Sequence, residues 1–379
     1  MSLFDLYVEA IEKSDFHFPD GVVQQFLSDP SSASARNMMT ENLKFRSKSV
    51  LLDHLNLEPQ SIFHRSVHSV SVFMLGLAFR ALVIRTIERI ASRRLTDPDP
   101  FAFLWMLTSL YHDVYSDGEH TLSEGNYPSL DSFKYSIYQS NAISKKLCSR
   151  VHFHRPTYHQ ETVHSYYAYR CASKSPDHGI LSGFKCFDEL MKSYLTVQEK
   201  VYAANVGDQI DVHEQQGRLD YKSDDCKTFQ ITICEHTLEW NQNLIWAYAY
   251  VADAIIAHNI WHLEYSWFPE EIRKKAPGEK KLSPRKDPLA YYLCLIDTIE
   301  PIKYFNNCHP KAVIENISME LENNKIIISQ SEQRLFDLQS WYYSKFYNSV
   351  KDEDQLSLWL ENTFSVYDER NNRIVVSLL

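Results

Sequence analysis

Two aspartates interrupt apolar segments of the chain, and this feature constrains the fold more than any other. Asp113 ends the segment Leu104-Trp-Met-Leu-Thr-Ser-Leu-Tyr-His-Asp, and Asp297 stands within the apolar run 291–299. A buried carboxylate is costly in free energy unless a cation or hydrogen-bond donors compensate its charge. We therefore expect each of these aspartates to lie beside a cation.

The apolar pattern between residues 61 and 310 is mainly that of helices. Apolar side chains recur at spacings of three and four over 61–94, which predicts one long helix. Further helices are predicted over 101–115, 132–150, 178–194, 238–261 and 288–303, with Asp177 as a cap and Pro288 in a first turn. Loops are predicted over 116–128, 207–227 and 270–287, and 151–176 shows no clear period.

The pattern changes after about residue 310. Two pairs of short β-type segments, 317–321 with 326–329 and 364–367 with 374–377, flank turn-forming residues and predict two hairpins. Helices are predicted between them, over 332–347 and 353–362. The expected fold is mainly α, with a helical domain over 1–309 and a small α+β C-terminal module over 310–379.

Composition excludes several classes of protein. Hydrophobic residues make up 44% and charged residues 23% of the chain, and no window is apolar enough for a membrane span. A net charge of −10 argues against general nucleic-acid binding, although a local basic patch is compatible with it. The seven cysteines form no CxxC pair, and glycine-rich phosphate loops are absent. The first residues do not show a basic leader followed by an apolar stretch, so we expect a cytoplasmic protein.

Four residues in a characteristic order carry a family resemblance. His68 lies in Arg-Ser-Val-His-Ser-Val, the His112-Asp113 pair ends an apolar helix, and Asp297 lies in Leu-Cys-Leu-Ile-Asp. In this order and context the chain resembles the HD-domain superfamily of metal-dependent phosphohydrolases over about residues 60–305. His178 and His258 look like the two further histidines of the two-metal members of that family.

The resemblance implies an HD-type helical bundle that holds a binuclear metal centre. One metal would bind His68, His112, Asp113 and Asp297, and a second would bind Asp113, His178 and His258, so that Asp113 bridges the two. Asp113, His178 and His258 are the residues that it implies for catalysis. One or two divalent transition-metal ions are expected, and the sequence does not distinguish Mn, Fe, Zn and Co. A metal-activated water would be the nucleophile.

Other residues near this pattern have two interpretations each. Arg170 and the basic segment 273–286, including Lys280 and Lys281, could contact a substrate phosphate, or could form a surface salt bridge and a solvated loop. His64 and His262 lie four residues from predicted ligands and could support them or be exposed. We interpret the histidines at 152, 154, 159 and 164 as a loop bordering the cleft rather than a further metal site.

The predicted function is hydrolysis of a phosphoester or phosphoanhydride, with a nucleotide or another small phosphorylated molecule as substrate. The chain departs from the family after the His-Asp pair, where Val114-Tyr-Ser-Asp-Gly-Glu replaces Ile-Gly-Lys, and it lacks the Gly-Tyr-Pro signature of the cyclic-dinucleotide branch. Alternatives are an HD-type di-iron oxygenase of a small polar substrate and a binding or regulatory module with a structural metal. Exposed hairpin edges make a homodimer through the C-terminal module a further expectation.

Overall fold

The protein is described here from a computed structural model. The described residues are 1–14, 18, 21–45, 66–95, 100–115, 127–130, 160–174, 176–203, 210–211, 218–221, 228–233, 236–241, 243–259, 269–275, 280–331, 335–349 and 352–379. The predicted helix over 132–150 lies outside these residues, as do 116–126 of the predicted loop. The cluster residues 152, 154 and 159 and the candidates His64 and His262 also lie outside them.

Three helices open the chain: α1 (Leu3–Glu12), α2 (Val22–Ser28) and α3 (Ser32–Phe45). The hydroxyl of Ser2 caps α1 by accepting a hydrogen bond from the amide of Asp5 at 3.2 Å. Leu3 and Tyr7 of α1 are fully buried, so this first helix forms part of the core.

The single helix predicted over 61–94 is interrupted in the structure, and its residues 61–65 lie outside the described residues. The structure has α4 (Ser66–Ala78), a 3₁₀ turn (Arg80–Leu82) and α5 (Ile84–Ala91). At the end of α4 the hydroxyl of Tyr292 donates to the carbonyl oxygen of Gly76 at 2.8 Å. An uninterrupted helix offers that carbonyl to the amide of residue 80. A side chain from a distant helix thus competes for a backbone acceptor where α4 breaks.

Three helices follow: α6 (Pro100–Tyr111), α7 (Gln160–Ala172) and α8 (His178–Ala203). Every residue of α6 is buried, which agrees with its almost wholly apolar sequence. The helix ends four residues before its predicted limit, and a turn carries residues 112–115. The cap predicted for α8 is confirmed, because Asp177 Oδ1 accepts a hydrogen bond from the amide of Ile180 at 2.9 Å. Sequence periodicity did not reveal α7.

An antiparallel sheet that the sequence did not predict lies between α8 and the next helix. Its strands are β1 (Ile210–Asp211), β2 (Arg218–Tyr221), β3 (Thr228–Ile233) and β4 (His236–Asn241), in that spatial order. Strands β1 and β2 occupy part of the predicted loop 207–227, which is therefore wrong at those residues. The predicted helix over 238–261 is wrong at its start, because 238–241 belong to β4 and α9 spans Asn243–Ala257.

Two helices complete the segment before the C-terminal part: α10 (Glu270–Arg273), inside a predicted loop, and α11 (Pro288–Ile299). Pro288 lies in the first turn of α11, as predicted. The helix ends at Ile299 rather than at 303 because Pro301 follows Glu300. The residue before a proline is driven out of the helical region, and Glu300 has extended backbone angles of −71° and 120°.

The C-terminal part contains α12 (Pro310–Asn316), β5 (Ile317–Glu322), β6 (Lys325–Gln330), α13 (Leu338–Lys345), β7 (Tyr347–Asn348), β8 (Glu353–Asp354), α14 (Gln355–Trp359), β9 (Thr363–Asp368) and β10 (Arg373–Leu378). Both predicted hairpins are confirmed. They form one antiparallel sheet in the order β5-β6-β10-β9. The helices α13 and α14 are shorter than their predictions, 332–347 and 353–362.

The fold is mainly helical with a small C-terminal antiparallel sheet, as the sequence predicts. One hydrophobic core joins side chains from both parts, including Phe73 of α4, Leu293 of α11 and Ile328 of β6. The division at residue 310 and the HD-type bundle stay predictions. Within the described part of the chain, no helix combines the length and the apolar character needed to cross a membrane.

Candidate metal centre

The structure brings all six predicted metal ligands to one place. His68 lies on α4, His112 and Asp113 lie in the turn after α6, and Asp297 lies in the last turn of α11. His178 begins α8, and His258 follows the last residue of α9. Five helices therefore contribute through their ends or inner faces. His68, His112, Asp113 and His258 are buried, and the other two are only partly exposed.

The first group of ligands consists of His68, His112 and Asp297. Their donor atoms all lie within 4.8 Å of one another. His68 Nε2 is 3.0 Å from Asp297 Oδ1 and 3.2 Å from His112 Nε2, and His112 Nε2 is 3.6 Å from Asp297 Oδ1. Two imidazole nitrogens and a carboxylate oxygen that face a common point form a ligand set suited to a divalent transition metal.

The second group consists of Asp113, His178 and His258, whose donor atoms also lie within 4.8 Å of one another. Asp113 Oδ1 is 3.2 Å from His178 Nε2 and 4.0 Å from His258 Nε2. The other oxygen of Asp113, Oδ2, is 3.6 Å from His68 Nε2 in the first group. Asp113 thus presents one oxygen to each group, which is the position that a bridging carboxylate requires.

Three of the histidines are held by their outer nitrogens. His112 Nδ1 is 2.9 Å from the carbonyl oxygen of Ser109, and His258 Nδ1 is 2.6 Å from that of Ile255. His68 Nδ1 is 2.7 Å from Glu300 Oε2. Such contacts place the proton on Nδ1 and leave the lone pair of Nε2 for a metal. This is the arrangement usual for metal-binding histidines.

His258 supplies the sharpest test of whether a cation fits. Its Nε2 is buried and, among the described residues, has no hydrogen-bond partner. An unsatisfied buried polar atom is costly, and most such atoms in native proteins have a partner. A metal at the centre of the second group would satisfy it. The residues present therefore fit a divalent cation.

The electrostatics of the site keep its carboxylates ionised. Burial would raise the pKa of Asp113 and of Asp297, but nearby Lys303 and the histidines outweigh burial and hold both pKa values well below the usual range. Burial lowers the pKa of His258 to about 3, so this imidazole is neutral. For His68, burial is outweighed by Glu300 and Asp297, which raise its pKa to about 9, so a metal that binds Nε2 of this residue must displace a proton.

Lys303 is a member of the site that sequence reasoning missed. Its Nζ is 3.0 Å from Asp113 Oδ2 and 3.6 Å from Asp297 Oδ1, and its side chain is 22% exposed. The ammonium group therefore reaches from the solvent side to both carboxylates. Lys303 lies beyond the end of α11, in a turn that the sequence analysis assigned to the predicted helix over 288–303. In the family that the chain resembles, the lysine of Ile-Gly-Lys follows the His-Asp pair, at a point where this chain has Val114-Tyr-Ser.

Glu300 is the second missed residue. Its side chain is fully buried beside His68. One signal was available, because Glu300 follows the same apolar run that singled out Asp297, and the cost of burying a carboxylate applies equally to both.

The residues predicted to contact a phosphate are Arg170, which has a tyrosine partner, and Lys280 and Lys281, which are exposed. Arg170 engages Tyr166, with Nη1 donating to the tyrosine hydroxyl at 3.0 Å. Lys280 and Lys281 are exposed, whereas the predicted metal ligands are buried or nearly so. Their assignment to a substrate phosphate stays a prediction. His164, the described member of the histidine cluster, packs edge-on against Phe184 with ring centroids 6.0 Å apart.

A cavity of about 470 Å³ opens beside the first group of ligands. Its described lining combines polar and apolar side chains and consists of Ser32, Ser66, Val67, His68, Ile302, Lys303, Asn306, Cys308 and Pro310. This volume suits a small molecule. His68 and Lys303 belong both to the cavity wall and to the candidate centre, so a molecule in the cavity would contact these two residues.

No family model matches the chain, and neither a curated protein nor a solved structure matches it.

Proposed function

We propose that this chain is a metal-dependent phosphohydrolase that cleaves a phosphoester or phosphoanhydride of a small molecule. The observation that carries the proposal is the convergence of six histidine and aspartate side chains into two adjoining groups that share Asp113. Divalent ions in such a pair of sites lower the pKa of water and polarise phosphoryl oxygens. The resemblance to two-metal HD-type proteins supports the same reaction class.

In this proposal His68, His112 and Asp297 hold one ion, His178 and His258 hold the other, and Asp113 contacts both. The contacts of Nδ1 in His68, His112 and His258 fix the orientation of the rings, so that little rearrangement is needed on binding. A rigid ligand set also keeps the reacting groups close, which is a large part of the rate enhancement in such sites.

Lys303 would serve the anionic substrate. Its ammonium group lies where the cavity meets the carboxylates, and it is the described lysine of the cavity lining. A phosphoryl group that enters from the cavity would replace a carboxylate oxygen as one of its partners. Positive charge placed beforehand at that point stabilises the charge that develops during hydrolysis.

Substitution of Asp113 by asparagine tests the proposal directly. The protein is purified without added metal, its metal content is measured by elemental analysis, and it is assayed against a panel of phosphoesters and nucleotides. We expect about two metal equivalents and hydrolysis in the unmodified chain. In Asp113→Asn we expect loss of metal and a fall in kcat/KM of about 10²-fold or more, because a charged ligand shared by both ions is lost.

The matched control is Asp188→Asn. Asp188 is also a buried aspartate, but it lies ten positions along α8 from His178, or about 15 Å at 1.5 Å per residue. Its variant should keep metal and activity. Turnover in Asp113→Asn equal to that of the unmodified chain would contradict the proposal. Iron in the centre together with uptake of dioxygen, and no hydrolysis, would identify the oxygenase instead.

A further inference from the structure

A chain of hydrogen bonds between buried side chains connects α1 to the metal ligand His68. The hydroxyl of Tyr7 lies 2.6 Å from Ser71 Oγ, and Ser71 Oγ donates to Glu300 Oε1 at 2.6 Å. The other oxygen, Glu300 Oε2, lies 2.7 Å from His68 Nδ1. All four residues are less than 5% exposed. Buried polar networks whose members are all satisfied impose one geometry on the groups that they join.

Glu300 is the centre of this network. Besides Ser71, its Oε1 accepts a hydrogen bond from the amide of Ile302 at 2.9 Å. Besides contacting His68, its Oε2 accepts one from the amide of Lys303 at 3.0 Å. The same carboxylate therefore holds the imidazole of His68 and the backbone from which the Lys303 side chain reaches Asp113. A shift of Glu300 would displace a metal ligand and the neighbouring cation together.

The helix that carries Tyr7 also contacts the C-terminal sheet, through the residues at its start. Ser2, which caps α1, pairs with Ser318 of β5 as an isolated antiparallel bridge. The amide of Met319 donates to the carbonyl oxygen of Met1 at 3.1 Å, and the amino group of Met1 pairs with the carboxylate of Glu320. The helix that carries Tyr7 is thus anchored at its first residues to the C-terminal sheet.

We propose that Glu300 is a positioning residue for His68, and that Tyr7 and Ser71 keep Glu300 in place. The inference rests on the metal centre of the proposed function but not on the reaction that it performs. A histidine ligand needs its outer nitrogen held so that the inner nitrogen faces the metal. Loss of such a partner usually weakens metal binding by about 10–100-fold.

The test measures cobalt(II) binding to the full chain by competition with a chelator and by the visible absorption of the bound ion. The variants are Tyr7→Phe, Ser71→Ala and Glu300→Gln. The first two each remove one oxygen atom and leave the packing almost unchanged, so they carry the test if Glu300→Gln does not fold. Tyr291→Phe is the control, because Tyr291 is also a buried tyrosine and its hydroxyl lies 2.7 Å from Thr363 Oγ1.

We expect Ser71→Ala and Glu300→Gln to weaken binding of at least one cobalt ion by about 10–100-fold. Tyr7→Phe should have a smaller effect in the same direction, with an altered absorption spectrum in all three. Tyr291→Phe should keep the affinity and spectrum of the unmodified chain.

Unchanged cobalt affinity and spectrum in all three network variants would overturn the inference, even if their thermal stability fell. An unmodified chain that binds no cobalt would overturn both this inference and the metal centre. An unmodified chain that binds cobalt but hydrolyses no phosphoester would overturn only the proposed reaction. In that case a selective loss of affinity in the network variants would still support the inference.

Discussion

At the scale of single residues, the sequence singled out the six candidate ligands, whereas Lys303 and Glu300 beside them were missed. Asp113 and Asp297 are conspicuous because each is a charge within an apolar helical segment. Lys303 and Glu300 lie in or beside the turn that Pro301 imposes. The cost of burying a carboxylate could have drawn attention to Glu300, but the partners of both residues, Asp113 for the lysine and His68 for the glutamate, depend on the three-dimensional path of that turn.

Replacement of Lys303 by glutamine should move metal affinity and activity in opposite directions. The ammonium group now competes for Asp113 Oδ2 at 3.0 Å. Its loss should strengthen metal binding by up to about tenfold, which corresponds to roughly 1.4 kcal/mol. The anionic substrate loses its cation at the same time, so kcat/KM should fall by about 10²-fold. Chelator competition and steady-state kinetics measure the two effects.

Lys311→Gln is the matched control for this substitution. Lys311 lies on α12 and is 44% exposed, with its Nζ 3.8 Å from Glu315. Its variant should match the unmodified chain in both measurements. If Lys303→Gln lost metal and activity together, the lysine would be a support of the ligand set rather than a partner of the substrate.

At the scale of helices and strands, several predictions that succeeded depend on neighbouring residues in the sequence, and some that failed depend on distant ones. The turn of the first C-terminal hairpin has Asn323 and Asn324 at φ values of 47° and 60°, and asparagine tolerates this left-handed region. That signal is contained in two adjacent residues. The break after α4 depends instead on a bond from Tyr292, which is 216 positions away from Gly76, and no local pattern contains it. Strands β1 and β2 are short and polar, and therefore resembled a loop.

Gly183 controls how closely α8 and α9 approach. A Cβ atom at this position would lie 2.5 Å from the side chain of Ile256 and 2.8 Å from the carbonyl oxygen of Ala252. Overpacking of this kind typically costs about 1–3 kcal/mol. Because α8 begins with His178 and His258 follows α9, Gly183→Ala should separate these ligands. We expect its metal content to fall from two equivalents toward one.

Gly76→Ala provides the comparison at the other group of ligands. Its Cβ would lie 2.0 Å from Trp105 Cε2, between α4 and α6. The helix α4 carries His68, and His112 directly follows α6. Both variants should unfold at lower temperature. The group that contains His178 and His258 should lose more of its metal in Gly183→Ala than in Gly76→Ala. Equal loss of both ions in the two variants would mean that the groups do not respond separately to helix spacing. Cobalt spectra and calorimetry distinguish these results.

At the scale of the whole molecule, the C-terminal part is joined to the helices at several points. The amide of Leu282 donates to the carbonyl oxygen of Trp359 at 2.8 Å, and the amide of Glu361 donates to that of Leu282 at 2.9 Å. Leu282 and Leu360 are both buried in the common core. The sequence indicated a change near residue 310, because the helical spacing of apolar residues gives way there to short β-type segments. It did not indicate these contacts, which join segments about 80 positions apart.

A core shared in this way should unfold as one unit. Leu360→Ala removes a fully buried side chain of the C-terminal part and should cost about 2–5 kcal/mol. We expect the urea midpoint to fall equally by far-ultraviolet ellipticity, which reports mainly on the helices, and by tryptophan fluorescence. Leu335→Ala, at a side chain that is 52% exposed, should change stability by less than about 0.5 kcal/mol. A retained helical midpoint in Leu360→Ala would show that the two parts unfold independently.

The turn after α11 also limits which changes in chain length the protein can tolerate. Asp297, Glu300 and Lys303 follow one another at intervals of three residues, and in the proposed centre the three side chains would act as metal ligand, support of His68 and neighbouring cation. Insertion or deletion of one residue between Asp297 and Lys303 would rotate or translate at least one of these groups away from the others. Homologous chains that keep the centre should therefore conserve the length of this segment more strictly than its individual apolar residues.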